Sequence, residues 1–206
     1  MAIYEALLAH FGHRNWWPGD EPFEIVVGAI LTQNTAWKNV EKAIAALKER
    51  GLLDPKRMLE TPTDELAALI RPSGYFNQKA KKLKAFLNFL FERHRGRLDE
   101  LFELDVEDMR EQLLGVWGIG KETADSIILY AANKLTFVID AYTKRILVRK
   151  GIVDADATYD EMKELFERNL PADVGLYNDY HAQLVALGKT YCTTRPRCEA
   201  CPIRDL

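Results

Sequence analysis

Two glycines and a lysine in the middle of the chain form the first pattern that could do chemistry. Residues 114–124 read Leu-Gly-Val-Trp-Gly-Ile-Gly-Lys-Glu-Thr-Ala and lie between apolar stripes of helical period. Gly118 and Gly120 can bring backbone N–H groups to a surface at the start of a helix, where a phosphate is favoured, and Lys121 adds positive charge. The glycines follow no strand and precede no Lys-Ser/Thr pair, which argues against dinucleotide and Walker motifs. The spacing predicts a phosphate-binding hairpin or, as the simpler alternative, a tight turn.

A single carboxylate, Asp140, follows the apolar pair Val138-Ile139, eighteen residues after Glu122. An acid at the mouth of a helix is typical of an N-cap, whose side chain accepts a backbone hydrogen bond. A catalytic role for the same carboxylate is compatible with that capping role.

Tryptophans and cysteines are concentrated at opposite ends of the chain. Three of the four tryptophans precede residue 38: Trp16, Trp17 and Trp37. Tryptophan at such positions is often part of a core, and the alternative is a pocket for a flat ligand. Cys192, Cys198 and Cys201 lie in the last fifteen residues, an odd number that argues against a disulfide framework and leaves metal ligands or no shared role. A zinc site completed by His181 is a further alternative.

Helices must position these residues, because helical periodicity dominates the sequence. Apolar stripes predict helices over 23–31, 83–90 and 124–131. Further helices are predicted between Gly, Pro and Asp punctuation, at about 2–11, 36–50, 63–70, 105–114, 141–150, 158–169 and 178–190. Residues 136–139 have strand composition, but the segment is short and isolated, so an extended connector is predicted. The expected fold class is all-α.

Charge is distributed unevenly along a chain whose total charge is slightly acidic. The 206 residues are 48% apolar, enough to form a core without disulfides, and the formal charge is −3. Residues 71–95 nevertheless carry seven basic side chains and one acidic, so a basic strip beside the hairpin is predicted. No apolar run approaches the roughly 20 residues that span a bilayer, and the first residues lack the basic flank of a signal peptide. We therefore expect a cytoplasmic, nucleoid-associated protein with no membrane partner.

The order of these motifs resembles the endonuclease III superfamily of DNA glycosylases over nearly the whole chain. The motifs are Leu-Thr-Gln-Asn-Thr at 31–35, Arg-Pro-Ser-Gly-Tyr-Phe-Asn-Gln-Lys-Ala at 71–80, the hairpin, Val-Ile-Asp at 138–140 and the cysteine tail. The resemblance implies two helical domains, 23–135 and 1–22 with 136–206, with a DNA-binding cleft between them and a helix-hairpin-helix motif. It also implies that Lys121 and the hairpin amides hold a phosphate, that Gln33 and Tyr75 fill the gap left in the duplex, and that Asp140 is essential.

Within that superfamily the pattern is most similar to the bacterial 3-methyladenine DNA glycosylase III branch. The resemblance then implies that the flipped base stacks on aromatic rings, here Trp16, Trp17 and Trp37. Methylation at N3 gives adenine a positive charge, which aromatic faces attract and which makes the base a good leaving group. Lys189 matches a position near the catalytic Asp of that branch, and a plain surface lysine is the alternative.

The residue after Lys121 bears on the reaction type. The superfamily's bifunctional members carry a lysine nucleophile at the position of Glu122, and a carboxylate cannot replace that amine. We therefore expect a monofunctional enzyme in which Asp140 activates water. A one-residue shift in alignment would place Lys121 there and restore AP lyase activity, as in a bifunctional endonuclease III acting on oxidised pyrimidines or mismatched thymine. A non-catalytic DNA-binding module is the alternative from another functional class.

The cysteine tail resembles the iron–sulfur loop of the superfamily. That resemblance implies a [4Fe–4S] cluster with Cys192, Cys198 and Cys201 as thiolate ligands. The superfamily's fourth cysteine would fall at position 207, beyond the given sequence, so the cluster has its fourth ligand there, has an unusual one, or does not form. The expected partner is damaged double-stranded DNA, and the expected state is a monomer.

Overall fold

The computed structural model is all-helical over the residues that it describes, 1–14, 16 and 19–206, and these contain no strand, which confirms the predicted fold class. In chain order the helices are α1 (Ala2–Phe11), α2 (Pro22–Leu31), α3 (Trp37–Glu49), α4 (Pro55–Glu60), α5 (Thr63–Leu69), α6 (Phe76–His94), α7 (Leu98–Phe102), α8 (Val106–Leu114), α9 (Lys121–Ser126), α10 (Ala141–Arg149), α11 (Tyr159–Asn169) and α12 (Val174–Thr190). Short 3₁₀ turns occupy Arg71–Ser73 and Cys198–Ala200, and a π-helical segment, Ile127–Ala131, continues α9. None of the helices in these ranges has the length and apolar character that crossing a membrane requires.

The chain divides into two compact units. The central unit is Pro18–Asn133, and the terminal unit combines Met1–Trp17 with Lys134–Leu206. The sequence predicted 23–135 and 1–22 with 136–206 for the two domains.

The core of the central unit forms around α2 and α6. Helix α2 buries its whole predicted stripe, from Phe23 to Leu31, and α6 buries Leu83, Phe86, Leu87 and Leu90. The third stripe is buried too, although its last part is π-helical rather than α-helical. Each stripe faces the core because residues three and four apart share one side of a helix.

The terminal unit is held together by contacts between residues far apart in sequence. The hydroxyl of Tyr4 in α1 donates to Asp179 Oδ2 in α12 at 3.0 Å, and Gln183 Nε2 donates to the Gly12 carbonyl at 2.7 Å. Phe137 stacks on a ring of α11 with centroids 3.9 Å apart. Residues 136–139 form the predicted extended connector, because no second strand is present among the described residues to pair with them.

Two short helices were not predicted, and α6, α9 and α12 begin earlier than the sequence predicted. Helices α4 and α7 have six and five residues, too short to produce a clear apolar period. Helix α12 begins at Val174 rather than at about 178, because Asp173 caps it by accepting the Leu176 N–H at 2.7 Å.

Candidate functional site

The predicted hairpin is a tight turn between α8 and α9. Ile119 donates a backbone hydrogen bond to the Val116 carbonyl at 3.1 Å, and Gly118, the third residue of that turn, has φ of +87°. A type II turn requires positive φ at its third residue, which glycine adopts without strain. Val116 and Ile119 are each 6% exposed, so both ends of the turn are anchored in the core.

The two glycines of the hairpin have different structural requirements. A Cβ added at Gly118 would lie 2.5 Å from Lys82 Cγ, so the fold itself needs glycine there. Gly120 caps α9 with an ordinary extended backbone, φ −101° and ψ 179°, and a Cβ there would meet no atom within 4 Å. The fold therefore leaves the backbone at 120 open, and the exposed Lys121 follows it. An anion is the ligand that helix-start N–H groups and a lysine favour.

Gln33 contacts the hairpin and α6 through its side-chain amide. Its Nε2 donates to the Gly118 carbonyl at 3.1 Å and to Thr123 Oγ1 at 2.9 Å, while its Oε1 accepts from Lys82 Nζ. Because a lysine can only donate and a carbonyl can only accept, these partners fix the amide orientation. The structure thus places Gln33 as a link between the segment after α2 and the hairpin, and its role in filling a gap in DNA stays a prediction.

Tyr75 is exposed on the turn that precedes α6. Its side chain is 73% exposed, and its backbone is left-handed at φ 46°, which is uncommon for a residue other than glycine. Lys79 stabilises this turn through hydrogen bonds, because its Nζ donates to the Ser73 carbonyl at 2.6 Å and to the Leu31 carbonyl at 2.9 Å. The end of α2 and the turn carrying Tyr75 are therefore joined through one buried ammonium group.

Asp140 caps α10 in the terminal unit, as its sequence position predicts. Its Oδ1 accepts the Thr143 N–H at 2.7 Å, and its Oδ2 lies 3.8 Å from His181 Nε2 of α12. Burial lowers the pKa of His181 below its ordinary value, although the nearby Asp140 charge opposes that shift, so the imidazole is neutral at pH 7. One carboxylate oxygen is thus engaged in the cap, and the other is directed towards an uncharged ring. A carboxylate held in this way can stabilise a developing cation or accept a proton from water.

The tryptophans predicted to clamp a base lie in both units. Trp16 of the terminal unit is half-buried, and Lys189 Nζ lies over its ring, 5.8 Å from the centroid. Trp37 begins α3 in the central unit and lines a cavity of about 220 Å³ together with Glu24 and Ile44. Trp17 lies outside the described residues. An aromatic face attracts cations, and a cationic base stacked on this face of Trp16 would have to replace the Lys189 ammonium group.

Known proteins are similar to this chain in sequence and in the arrangement of their helices. The sequence profile of the HhH-GPD superfamily of base excision DNA repair proteins matches residues 27–172. The chain belongs to the HhH-GPD superfamily. A protein of Methanocaldococcus jannaschii, provisionally named a DNA repair glycosylase, is 48% identical to it over 98% of this chain and 93% of its own length. Endonuclease III of Sulfolobus acidocaldarius is 30% identical over 89% of this chain and 80% of its own.

A solved structure agrees with that assignment. The crystal structure of the 3-methyladenine DNA glycosylase of H. pylori bound to 1,N6-ethenoadenine has a TM-score of 0.81 and 30% identity, and covers 91% of this chain and 96% of that one. This HhH-GPD protein is an enzyme, a DNA glycosylase of base excision repair that acts on DNA, rather than a non-catalytic DNA-binding module.

The basic segment of this HhH-GPD protein contributes less surface charge than the residue count indicates. Lys79 is 2% exposed and bonds two carbonyls, as described above. Lys84 Nζ donates to the carbonyls of residues 58, 59 and 61, and burial lowers its pKa. Arg95 pairs with Glu100 at 2.9 Å. Because these three cations and Lys82, which bonds Gln33, have protein partners, the predicted basic strip beside the hairpin is narrower than expected.

The three cysteines of the HhH-GPD protein line one cavity of about 170 Å³ in the terminal unit. Four cations border the same cavity and could balance the negative charge of a thiolate-bound cluster: Arg149, Lys150, Arg197 and Arg204. Arg149 Nη1 donates to Cys192 Sγ at 3.4 Å. The cavity thus brings three sulfur atoms near positive charge, one sulfur fewer than the four thiolates that hold a [4Fe–4S] cluster. The described residues nevertheless contain no group of three or more His, Cys, Asp or Glu placed to hold a metal together, and His181 faces Asp140 instead.

Three residues near the site make contacts that the sequence of this HhH-GPD protein did not predict: Lys79, Lys82 and His181. The sequence did contain a signal for the burial of Lys79, because Lys79 lies on the apolar stripe of α6 with Leu83 and Leu90. The contacts of Lys82 and His181 join residues 49 and 41 positions apart. Such pairings depend on how helices pack, which periodicity within one helix does not reveal.

Proposed function

We propose that this DNA glycosylase removes alkylated purines, above all 3-methyladenine, by hydrolysis without cutting the strand. The observation that carries the proposal is the carboxylate of Glu122, which is exposed in the first turn of α9. The resemblance described above implies that lyase members of the superfamily carry an amine at this position. Without an amine nucleophile the attack on the sugar requires water. The likeness to the H. pylori 3-methyladenine DNA glycosylase supports the choice of base.

The chain's own residues supply the steps of this reaction. The hairpin backbone at Gly120 and Lys121 holds a phosphate while the damaged nucleotide leaves the stack. The ring of Trp16, which belongs to the same unit as Asp140, receives the cationic base. The C1′–N bond then breaks with its electron pair going to the base, which becomes neutral. Asp140 stabilises the positive sugar and accepts a proton from the water that adds to C1′.

Replacing Asp140 by asparagine tests this mechanism. Asparagine caps helices nearly as well as aspartate, so Asp140→Asn should fold normally and bind lesion DNA, yet lose base release by about 100-fold or more. Asp173→Asn is the matched control, because Asp173 makes the same cap with the same 2.7 Å hydrogen bond in α12. Single-turnover release of 3-methyladenine from methylated duplex DNA measures both variants. Equal loss in the two variants, or retained release in Asp140→Asn, would contradict the assignment.

A second candidate is a bifunctional glycosylase and AP lyase acting on oxidised pyrimidines. It is favoured by the position of Lys121, an exposed amine one residue before Glu122, and by the similarity to endonuclease III. A thymine-glycol duplex treated with the enzyme and borohydride discriminates between the two. A trapped covalent complex that disappears in Lys121→Ala would establish the second candidate, whereas release of methyladenine without strand nicking supports the first.

We also propose that Cys192, Cys198 and Cys201 ligate a [4Fe–4S] cluster. Support comes from the shared cavity and from the cations around it. When bound, the cluster would cross-link the loop through iron–thiolate bonds and would be capable of electron transfer. Freshly purified protein should then absorb broadly near 400 nm and contain about four iron atoms per chain. Colourless, iron-free protein prepared without exposure to oxygen would contradict a cluster.

A further inference from the structure

One exposed aromatic residue of the hairpin has no role in the scheme above. Trp117 is 58% exposed. Among the described residues of the central unit, the large hydrophobic side chains with such exposure are Trp117 and Tyr75, and both are aromatic. Water-exposed indole is unusual, because tryptophan is highly buried on average and is enriched where proteins bind partners.

The turn does not need tryptophan at this position for its own stability. Trp117 is the second residue of the turn closed by Ile119 and Val116, a place where proline is the favoured residue. The buried neighbours Val116 and Ile119 fix the backbone on both sides of it, and Gly118 fixes the direction of the chain. The indole is therefore held in solvent by a rigid turn.

Helix α6 relates this turn to Tyr75. The stem of Lys82 packs against Gly118, since a Cβ at Gly118 would be 2.5 Å from Lys82 Cγ. Tyr75 precedes Lys82 by seven residues, which is close to two full helical turns and about 10 Å along the axis. The place where the hairpin meets Lys82 and the turn that carries Tyr75 are thus about 10 Å apart along α6, a distance that a few nucleotides of one duplex can span.

We propose that Trp117 is a second aromatic DNA contact, packing its indole on the deoxyribose and base edge of the strand whose phosphate the hairpin binds. This contact lies a few nucleotides from the gap in the duplex that the resemblance assigns to Tyr75. Stacking and sugar contacts of aromatic residues strengthen binding without dependence on sequence, as a lesion-searching enzyme requires. The exposed amines of Lys81 and Lys121 supply the ionic contacts on the same unit. This inference rests on the proposed contact between hairpin and DNA, and not on which base is removed.

The salt dependence of DNA binding separates Trp117 from the cations. Affinity for a duplex with an abasic-site analogue is measured by fluorescence anisotropy between about 50 and 300 mM salt. We expect Trp117→Ala to weaken binding by about 5- to 50-fold at every salt concentration, with an unchanged slope of log K against log salt. Lys121→Ala should reduce that slope by about 0.9. Trp117→Phe should recover part of the affinity, and Ile152→Ala, which truncates an exposed apolar residue of the terminal unit, should match the wild type.

A positional probe completes the test. With 2-aminopurine placed at successive nucleotides from the abasic site, Trp117→Ala should change the fluorescence signal at the nucleotide beside the phosphate that the hairpin binds and leave distant nucleotides unaltered. Binding by Trp117→Ala within twofold of wild type, while Gly120→Ala and Lys121→Ala bind weakly, would overturn the role of Trp117 and leave the hairpin contact intact. Unaltered binding in all three variants would instead overturn the hairpin contact itself. A large fall in melting temperature for both Trp117→Ala and Trp117→Phe would show that the indole is structural, and the proposal would be wrong.

Discussion

Replacing Lys79 by methionine should change how the stability of the protein depends on pH. Lys79 is 2% exposed, and its ammonium donates to the Leu31 and Ser73 carbonyls. Burial, with a smaller contribution from the nearby Lys82 charge, lowers the pKa of Lys79 from 10.5 to about 8. Methionine has a similar shape and no titratable group, so Lys79→Met removes this titration and preserves most of the packing.

The sign and size of the effect follow from that pKa. Between pH 8 and 10.5 the folded protein binds fewer protons at Lys79 than the unfolded chain does, so stability rises with pH in this window. This Lys79 contribution to the free energy of unfolding is fully present above pH 10.5 and is lost as the pH falls through 8. A lowering from 10.5 to 8 corresponds to about 3 kcal/mol in total, of which about 2 kcal/mol lies between pH 7 and 9.5.

Urea denaturation at several pH values measures this difference. The free energy of unfolding of the wild type, minus that of Lys79→Met, should increase by about 2 kcal/mol from pH 7 to pH 9.5, and the titration of other groups cancels. Lys81→Met is the matched control, because it removes one lysine from the same helix at an exposed position. Parallel curves for the wild type and Lys79→Met, within about 0.5 kcal/mol, would refute the reasoning.

Two further variant pairs test the hairpin and a buried ion pair. Gly120→Ala should keep the free energy of unfolding within about 1 kcal/mol of wild type yet weaken DNA binding several-fold in anisotropy titrations, because a Cβ has room there but stands where the ligand would lie. Gly118→Ala, at φ +87° and against Lys82, should lower the free energy of unfolding by more than about 1 kcal/mol; equal stabilities would contradict this distinction. Asp125, 0% exposed, accepts from Arg110 Nε at 2.8 Å, so Asp125→Ala should destabilise by about 3 kcal/mol in urea. The double variant Arg110→Met/Asp125→Leu should recover most of that loss, and failure to recover it would show that the ion pair does not explain the cost.

Local sequence patterns predicted the helices and the connector, whereas they did not predict the contacts between helices. The stripes of α2 and α6, the cap at Asp140 and the connector at 136–139 depend on residues close together in sequence, and each has the predicted structure. The hydrogen bond of the Gln33 amide is made to the Gly118 carbonyl, 85 residues away, so it could not be predicted from either segment alone. Charge counting assigned Lys79 to a DNA-facing strip, although its place in an apolar stripe indicated burial.

The terminal unit combines two segments that are far apart in the sequence, and this affects how the protein folds during its synthesis. Tyr4 reaches its hydrogen-bond partner Asp179 across 175 residues, and Gly12 reaches Gln183 across 171. During synthesis α1 leaves the ribosome before the central unit, whereas its partner helix α12 leaves after that unit. Helix α1 must therefore remain undocked while the central unit emerges and folds. Helix α1 thus emerges before the central unit but docks only after that unit has been made, and a chaperone that binds emerging apolar helices would encounter α1 throughout that interval.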